Sequence, residues 1–223
     1  YRYNRLPRRL SMASTAIHFP AVLFVIRHGQ TDWNLQKRLQ GRKDIPLNET
    51  GRKQANVNGA ILRHLLAREA ISPESVAIKA SPLVRAMQTA QIVCHEAHLS
   101  GKILPVDGLK EQSYGLLEGM THDEIREKYP HCWYMRLHDP LSYTPPEGEP
   151  GSLFQARIGA VINACTQTTL LVGHFGLLRT LIALCQTQGI HTDLNFETLT
   201  GNQNVVYVVR DGVLTLHGKD EID

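Results

Sequence analysis

The chain has 223 residues, enough for a single domain with a sizeable core, or at most for two small domains. Hydrophobic residues make up 42% and charged residues 20%, as in ordinary soluble globular proteins, and the longest apolar run near the start, Phe19 to Ile26, is much too short to span a bilayer. The net charge of +3 arises in residues 1–19, which hold four arginines (Arg2, Arg5, Arg8, Arg9) and no acid; the other 20 of the 24 basic residues face 21 acidic ones, which makes no case for nucleic acid as a partner. Four cysteines, Cys94, Cys132, Cys165 and Cys185, are widely spaced without a Cys-x-x-Cys pair. They read as reduced thiols, and no hydrophobic signal segment precedes the first strand, so a cytoplasmic protein with no membrane partner is expected.

Residues 1–20 have a composition also found in organelle transit peptides, but a flexible or non-native extension is the expectation, followed by a single domain over 21–223. Val22 to Ile26 reads as a buried strand that ends in Arg27-His28-Gly29. A loop from Gln30 to Asn48 follows. Thr50 is placed to cap a helix running to about Arg68, with Ala55, Leu62, Leu65 and Leu66 at helical spacing. Ser75 to Ala80 reads as a second strand, broken by Ser81-Pro82. Val84, Met87, Ala90, Cys94 and Ala97 make the next helical stripe, and Ile103 to Val106 a third strand.

Glu111 to Gly119 is a loop. Thr121 and Glu124 form a capping box opening a short helix that Pro130 ends. Pro140 to Gly151, with four prolines and two glycines, is irregular. Ser152 and Gln155 suggest another capping box, before a helix with Phe154, Ile158, Val161, Ile162 and Cys165 on one side. Thr169 to Gly173 is a fourth strand ending in His174, with an apolar helix after it. Val205 to Val209, Asp211-Gly212 and Val213 to Leu216 read as a hairpin. Alternating strands and helices predict an α/β fold of three layers, with a mainly parallel central sheet and helices on both faces.

Ligands of open α/β sheets bind beyond the carboxyl ends of strands. Three predicted strand ends carry candidate chemistry: Arg27-His28-Gly29, the stretch Ser81 to Arg85, and Gly173-His174. Arginine offers a fixed cationic fork to phosphate oxygens, histidine a nucleophile, and glycine a close backbone approach to a ligand. Glu111 lies just after the third strand.

With these motifs in hand, the chain resembles the histidine phosphatase superfamily, which includes the cofactor-dependent phosphoglycerate mutases. The matching residues are Arg27-His28-Gly29-Gln30-Thr31 with Trp33-Asn34, Arg38-Leu39-Gln40-Gly41, and Asp44-Ile45-Pro46-Leu47 with Thr50-Gly51. Ser81-Pro82-Leu83 with Arg85-Ala86 and Gln88-Thr89-Ala90 comes next, then Glu111 with Tyr114-Gly115 and Glu118-Gly119, Pro145-Pro146 with Gly148-Glu149, and His174. The resemblance spans about Val22 to Asp211.

It implies that His28 is the nucleophile and becomes a phosphohistidine, that Arg27, Arg85 and His174 hold the phosphoryl group, and that Glu111 is the general acid and then the general base. Asn34, Gln40 and Gly29 are implied as substrate contacts. No metal and no cofactor is required; a mutase would need 2,3-bisphosphoglycerate as primer. The partner implied is a small-molecule phosphomonoester, with a homodimer allowed. The two histidines are expected to differ in protonation state.

Mutases of the superfamily carry an arginine directly after the catalytic glutamate, where this chain has Gln112, and an adjacent arginine pair where it has the isolated Arg136. They also have an inserted segment after the proline pair that this chain lacks. Tyr129-Pro130, Trp133, Pro140, Tyr143 and Pro145 look like the broad-specificity phosphatase branch, so a phosphomonoesterase is favoured over a mutase, and both over a non-catalytic binding module of the same fold. One departure is Phe175, at a position commonly glycine in the family.

Overall fold

The structure is a computed structural model and describes residues 17–194 and 203–222. Six strands, β1 (Val22–Arg27), β2 (Ala77–Ala80), β3 (Ile103–Pro105), β4 (Thr169–Gly173), β5 (Val206–Arg210) and β6 (Val213–His217), form one sheet in the order β3-β2-β4-β1-β5-β6. The pairs β1–β4, β2–β4 and β2–β3 are parallel, whereas β5 runs antiparallel to both β1 and β6. β1 and β4 sit at the centre. Covered on both faces, they are apolar without alternation, as buried parallel strands are.

The helices are α1 (Asp32–Leu35), α2 (Glu49–Arg68), α3 (Val84–Glu96), α4 (His122–Lys128), α5 (Pro130–His138), α6 (Gly151–Asn163) and α7 (Phe175–Thr187). Side chains alternate across β1. Phe24 and Ile26 join a core with Leu62, Ile78, Val93 and Val172 under α2 and α3. Leu23 and Val25 point the other way, into a core with Ile158, Leu171, Leu181 and Tyr207 under α6 and α7. A third, small cluster of Leu39, Tyr114, Leu117, Ile125 and Tyr143 lies under α4 and α5. Of the segment read as an N-terminal extension, residues 1–16 lie outside the described residues, while Ile17 and Phe19 pack on the second core and the His18 N–H donates to Asn163 Oδ1 at 2.8 Å.

Local signals differ from expectation in four places. The segment Gln30 to Asn48, expected to be a loop, carries the short helix α1 behind a capping box on Thr31. Asn48, not Thr50, caps α2, its Oδ1 accepting the Gly51 N–H at 2.9 Å. Pro130 does not only close α4; it opens α5 as its first residue, where a missing N–H has no helical partner to lose. The Ser152–Gln155 capping box is absent, because α6 begins two residues earlier than a Ser152 cap requires, behind Pro150, and has no side-chain cap. The box of Thr121 and Glu124 does form on α4, through both reciprocal bonds. Asp211 and Gly212 both have positive φ, 49° and 74°, as the tight β5–β6 hairpin turn requires. Among the described residues no helix is long and apolar enough to cross a membrane.

Candidate active site

Register brings the chemistry together. Arg27 pairs with Gly173, and Ala80 with Val172, so β1, β4 and β2 end nearly level. The chain leaving each strand stays tethered to its neighbour: the His28 N–H donates to Gly173 O and the Ser81 N–H to Val172 O, both at 2.9 Å. Beyond these ends lies an open cavity of about 360 Å³. Arg27, His28, Asn34, Gln40, Arg85 and Glu111 line it. His174 does not reach its wall; it stands behind His28, with the two ring centroids 5.2 Å apart. Gly29 is not in the wall either. Its N–H is given to Thr89 Oγ1 at 3.1 Å, and a Cβ there would collide with Gly51 O, so this glycine serves the close approach of the loop to α2.

His28 is 4% exposed, and its Nδ1–H donates to Gly29 O at 2.7 Å. In a neutral ring that leaves a lone pair on Nε2. Arg85 is fully buried and donates from Nη1 to Lys43 O at 2.7 Å and from Nη2 to Gly41 O at 2.8 Å; burial draws its pKa down to about 10. Arg27 has a buried Nε without a partner among the described residues, and its guanidinium lies 5.3 Å from the Phe175 ring centroid, a cation–π contact. Phe175 therefore faces the cavity.

His174 Nε2 and Ser81 Oγ share a 2.8 Å hydrogen bond, and the His174 Nδ1 is buried without a partner among the described residues. Asn34 Oδ1 is taken by Thr31 in the α1 capping box, so the group it has left for the cavity is Nδ2. Gln40 presents a buried Oε1 that no group among the described residues satisfies.

Glu111 sits at the N-terminus of α7. Its Oε2 accepts the Gly176 N–H at 3.3 Å and its Oε1 the Gln112 N–H at 2.9 Å. A Cβ on residue 176 would strike both Glu111 and Phe154, so only glycine lets the carboxylate lie there. The loop behind it is held by Arg157, which donates to the carbonyls of Gly108, Lys110 and Glu111 and forks onto both oxygens of Glu149. Arg157 was not visible as a site residue from sequence; its one signal is an arginine within an otherwise amphipathic helix.

Other residues in the wall were not read as site residues from the sequence: Lys37, His122 and Gln203, and Tyr114, which was noted only as a motif match. Arg136 reaches it from α5, its guanidinium 5.5 Å from the Tyr114 ring and 5.9 Å from that of Trp133. Among the described residues no carboxylate pairs with Lys37 or Arg136.

A family model of the histidine phosphatase superfamily (branch 1) matches residues 23–217. The chain belongs to that superfamily. The uncharacterized phosphatase PhoE of Bacillus subtilis (strain 168) is 42% identical over 113 residues, 51% of this chain and about half of that relative, 53% of its length. A 2,3-bisphosphoglycerate-dependent phosphoglycerate mutase of Bartonella henselae is 29% identical over 187 residues, 80% of this chain and 88% of the mutase. Bacillus stearothermophilus YhfR superposes with a TM-score of 0.66 at 30% identity, covering 88% of this chain and 95% of that one. Phosphatases and mutases thus both stand among the relatives, and this member of the superfamily is an enzyme of that group.

The site of this histidine phosphatase superfamily member has a consequence for stability. Burial, then Arg85 and Arg27, hold the His28 pKa well below the ordinary histidine value. Burial, then Arg85, His28 and Arg27, do the same to His174. Both shifts favour the neutral ring in the free protein. In the unfolded chain each ring takes a proton as pH falls through about 6.5, and the folded chain does so only lower. Their contribution is therefore fully present above about pH 6.5 and declines below it, at about 1.4 kcal/mol per pH unit for each ring. Denaturant titrations from pH 8 to 5 are expected to show His174→Gln losing less stability across that interval than the parent; parallel curves would mean that the folded ring protonates normally.

Proposed function

We propose that the chain is a phosphomonoesterase that works through a phosphohistidine on His28 and needs no metal. The observation that carries this is the His28 Nδ1–H bond to Gly29 O, which turns the Nε2 lone pair free in a pocket of buried cations. Nε2 attacks phosphorus, the ester P–O bond breaks, and a protonated Glu111 carboxyl gives its proton to the departing oxygen. Water then attacks phosphorus and passes a proton to Glu111, and the P–N bond pair returns to Nε2. Arg27 and Arg85 hold the phosphoryl oxygens, backed by His174 behind His28, with Asn34 Nδ2 and Gln40 at the sides. A transferring phosphoryl group spreads charge over three oxygens, so fixed cations in a dry site do most of the work. The substrate is a small phosphomonoester.

A second reading, a 2,3-bisphosphoglycerate-dependent mutase, draws support from Arg136 and Lys37. These cations stand at the outer wall, where a substrate carboxylate could be held. Against it, Gln112 stands where those mutases have arginine. It is 8% exposed and gives its Nε2–H to Glu149 O at 2.8 Å. The 42% identity to a phosphatase favours the first reading.

A phosphorus NMR time course on 3-phosphoglycerate, with a trace of 2,3-bisphosphoglycerate and a chelator, separates them. Inorganic phosphate without 2-phosphoglycerate is expected. Rapid appearance of 2-phosphoglycerate would establish the mutase instead.

A further inference from the structure

Two peptide planes flank the nucleophile's side chain, and each is pinned at both ends. The 28–29 plane gives its N–H to Thr89 Oγ1 at 3.1 Å, and its carbonyl accepts Gln203 Nε2–H at 2.8 Å. The 29–30 plane gives its N–H to Gln54 Oε1 at 2.8 Å, and its carbonyl accepts the His28 Nδ1–H at 2.7 Å. Gln54 lies on α2, and Asn58, one turn further on the same helix, donates Nδ2–H to the Gln203 backbone carbonyl at 2.7 Å. Gln203 is 5% exposed and Asn58 fully buried. These amide orientations follow from chemistry: a backbone N–H needs an oxygen opposite it, and a carbonyl needs an N–H.

We infer that Gln54 and Gln203 are positioning residues that fix the tautomer of His28, with α2 as their common support. This rests on the reading of His28 as nucleophile. Which ring nitrogen carries the proton is decided by the bond the other makes. The Gly29 carbonyl is the acceptor that keeps the proton on Nδ1, and its direction is set by the 29–30 plane. Gln54 is the side chain that holds the N–H end of that plane. Without it the carbonyl swings from Nδ1, and the Nε2–H tautomer, which cannot attack phosphorus, becomes populated. Gln203 does the complementary work on the preceding plane, as a donor where Gln54 is an acceptor.

That difference in polarity supplies the test. Gln54→Met is expected to lower kcat about 10- to 100-fold with KM changed less than about threefold. The 15N shifts of the His28 ring in the free protein are expected to move from a single Nδ1–H tautomer towards a mixture. Gln54→Glu keeps the acceptor and recovers most of the rate and the single tautomer. Gln203→Glu loses the donor and recovers neither. Loss of rate in Gln54→Met and Gln54→Glu alike, in step with loss of thermal stability, would reduce Gln54 to a structural strut and overturn the inference. An unchanged tautomer in Gln54→Met would overturn it as well. Because the tautomer is read without turnover, this outcome is independent of the phosphohistidine reading, which fails separately if the parent forms no phosphorylated His28.

Discussion

His28→Ala is expected to abolish hydrolysis of every phosphomonoester the parent accepts, by roughly 10⁴- to 10⁶-fold, and to leave no acid-labile phosphoenzyme after a single-turnover mix. The loss belongs to kcat, because the cations that bind the phosphoryl group remain. Folding is expected to survive. The variant removes one Nδ1–H bond and one contact with His174, but it also removes a ring whose burial disfavours its charged form. The variant's stability is therefore expected to fall less than the parent's below about pH 6.5. A variant that still hydrolyses at the parental rate would move the phosphoryl acceptor elsewhere and end the phosphohistidine reading.

Arg85→Ala is the second large effect, and it strikes both activity and fold. The guanidinium is fully buried and is the donor to the Gly41 and Lys43 carbonyls, which tie the loop after α1 to α3. Truncation strands buried carbonyls and opens a void, for a loss of about 2–4 kcal/mol of stability in denaturant melts. It also removes one of the two arginines placed for the phosphoryl oxygens, and kcat/KM is expected to drop on the order of 10³-fold. Arg85→Lys restores the charge but not the fork, so some of the stability returns and little of the rate. If Arg85→Ala melts earlier yet keeps its rate, the residue is a strut for residues 41–43 and not a phosphate ligand.

Strands could be read because their chemistry is local. The apolar runs of β1 and β4 end at polar residues, and in a parallel sheet those ends must lie at one edge, so the convergence of Arg27, His28 and Arg85 was legible before any coordinate. The N-terminus of α7 near Glu111 was less so, since it depends on Gly176 admitting a carboxylate that arrives 65 residues earlier in the chain. Pro130 ends α4 as expected, but the helix it opens was not legible, because proline can both stop one helix and start the next, and only the path of the chain tells which. The outer wall was illegible for a similar reason: Lys37, His122 and Arg136 meet through the docking of α4 and α5, which no periodicity records. Gln54 and Gln203 act on backbone groups, and a glutamine that holds a peptide plane looks in sequence like any surface amide.

The small third cluster has a bearing on how such a protein diversifies. The end of the cavity that holds Arg27 and His28 is built on strand ends anchored in the two large cores, so a substitution there disturbs the sheet itself. Arg136 and His122, which also line the cavity, are carried by α5 and α4, resting on a minor core of their own. Changes in those helices keep their strain local. Under the proposed reaction, selectivity and chemistry are mounted on separate foundations, and a lineage can exchange the molecule it acts upon while the reaction stays the same.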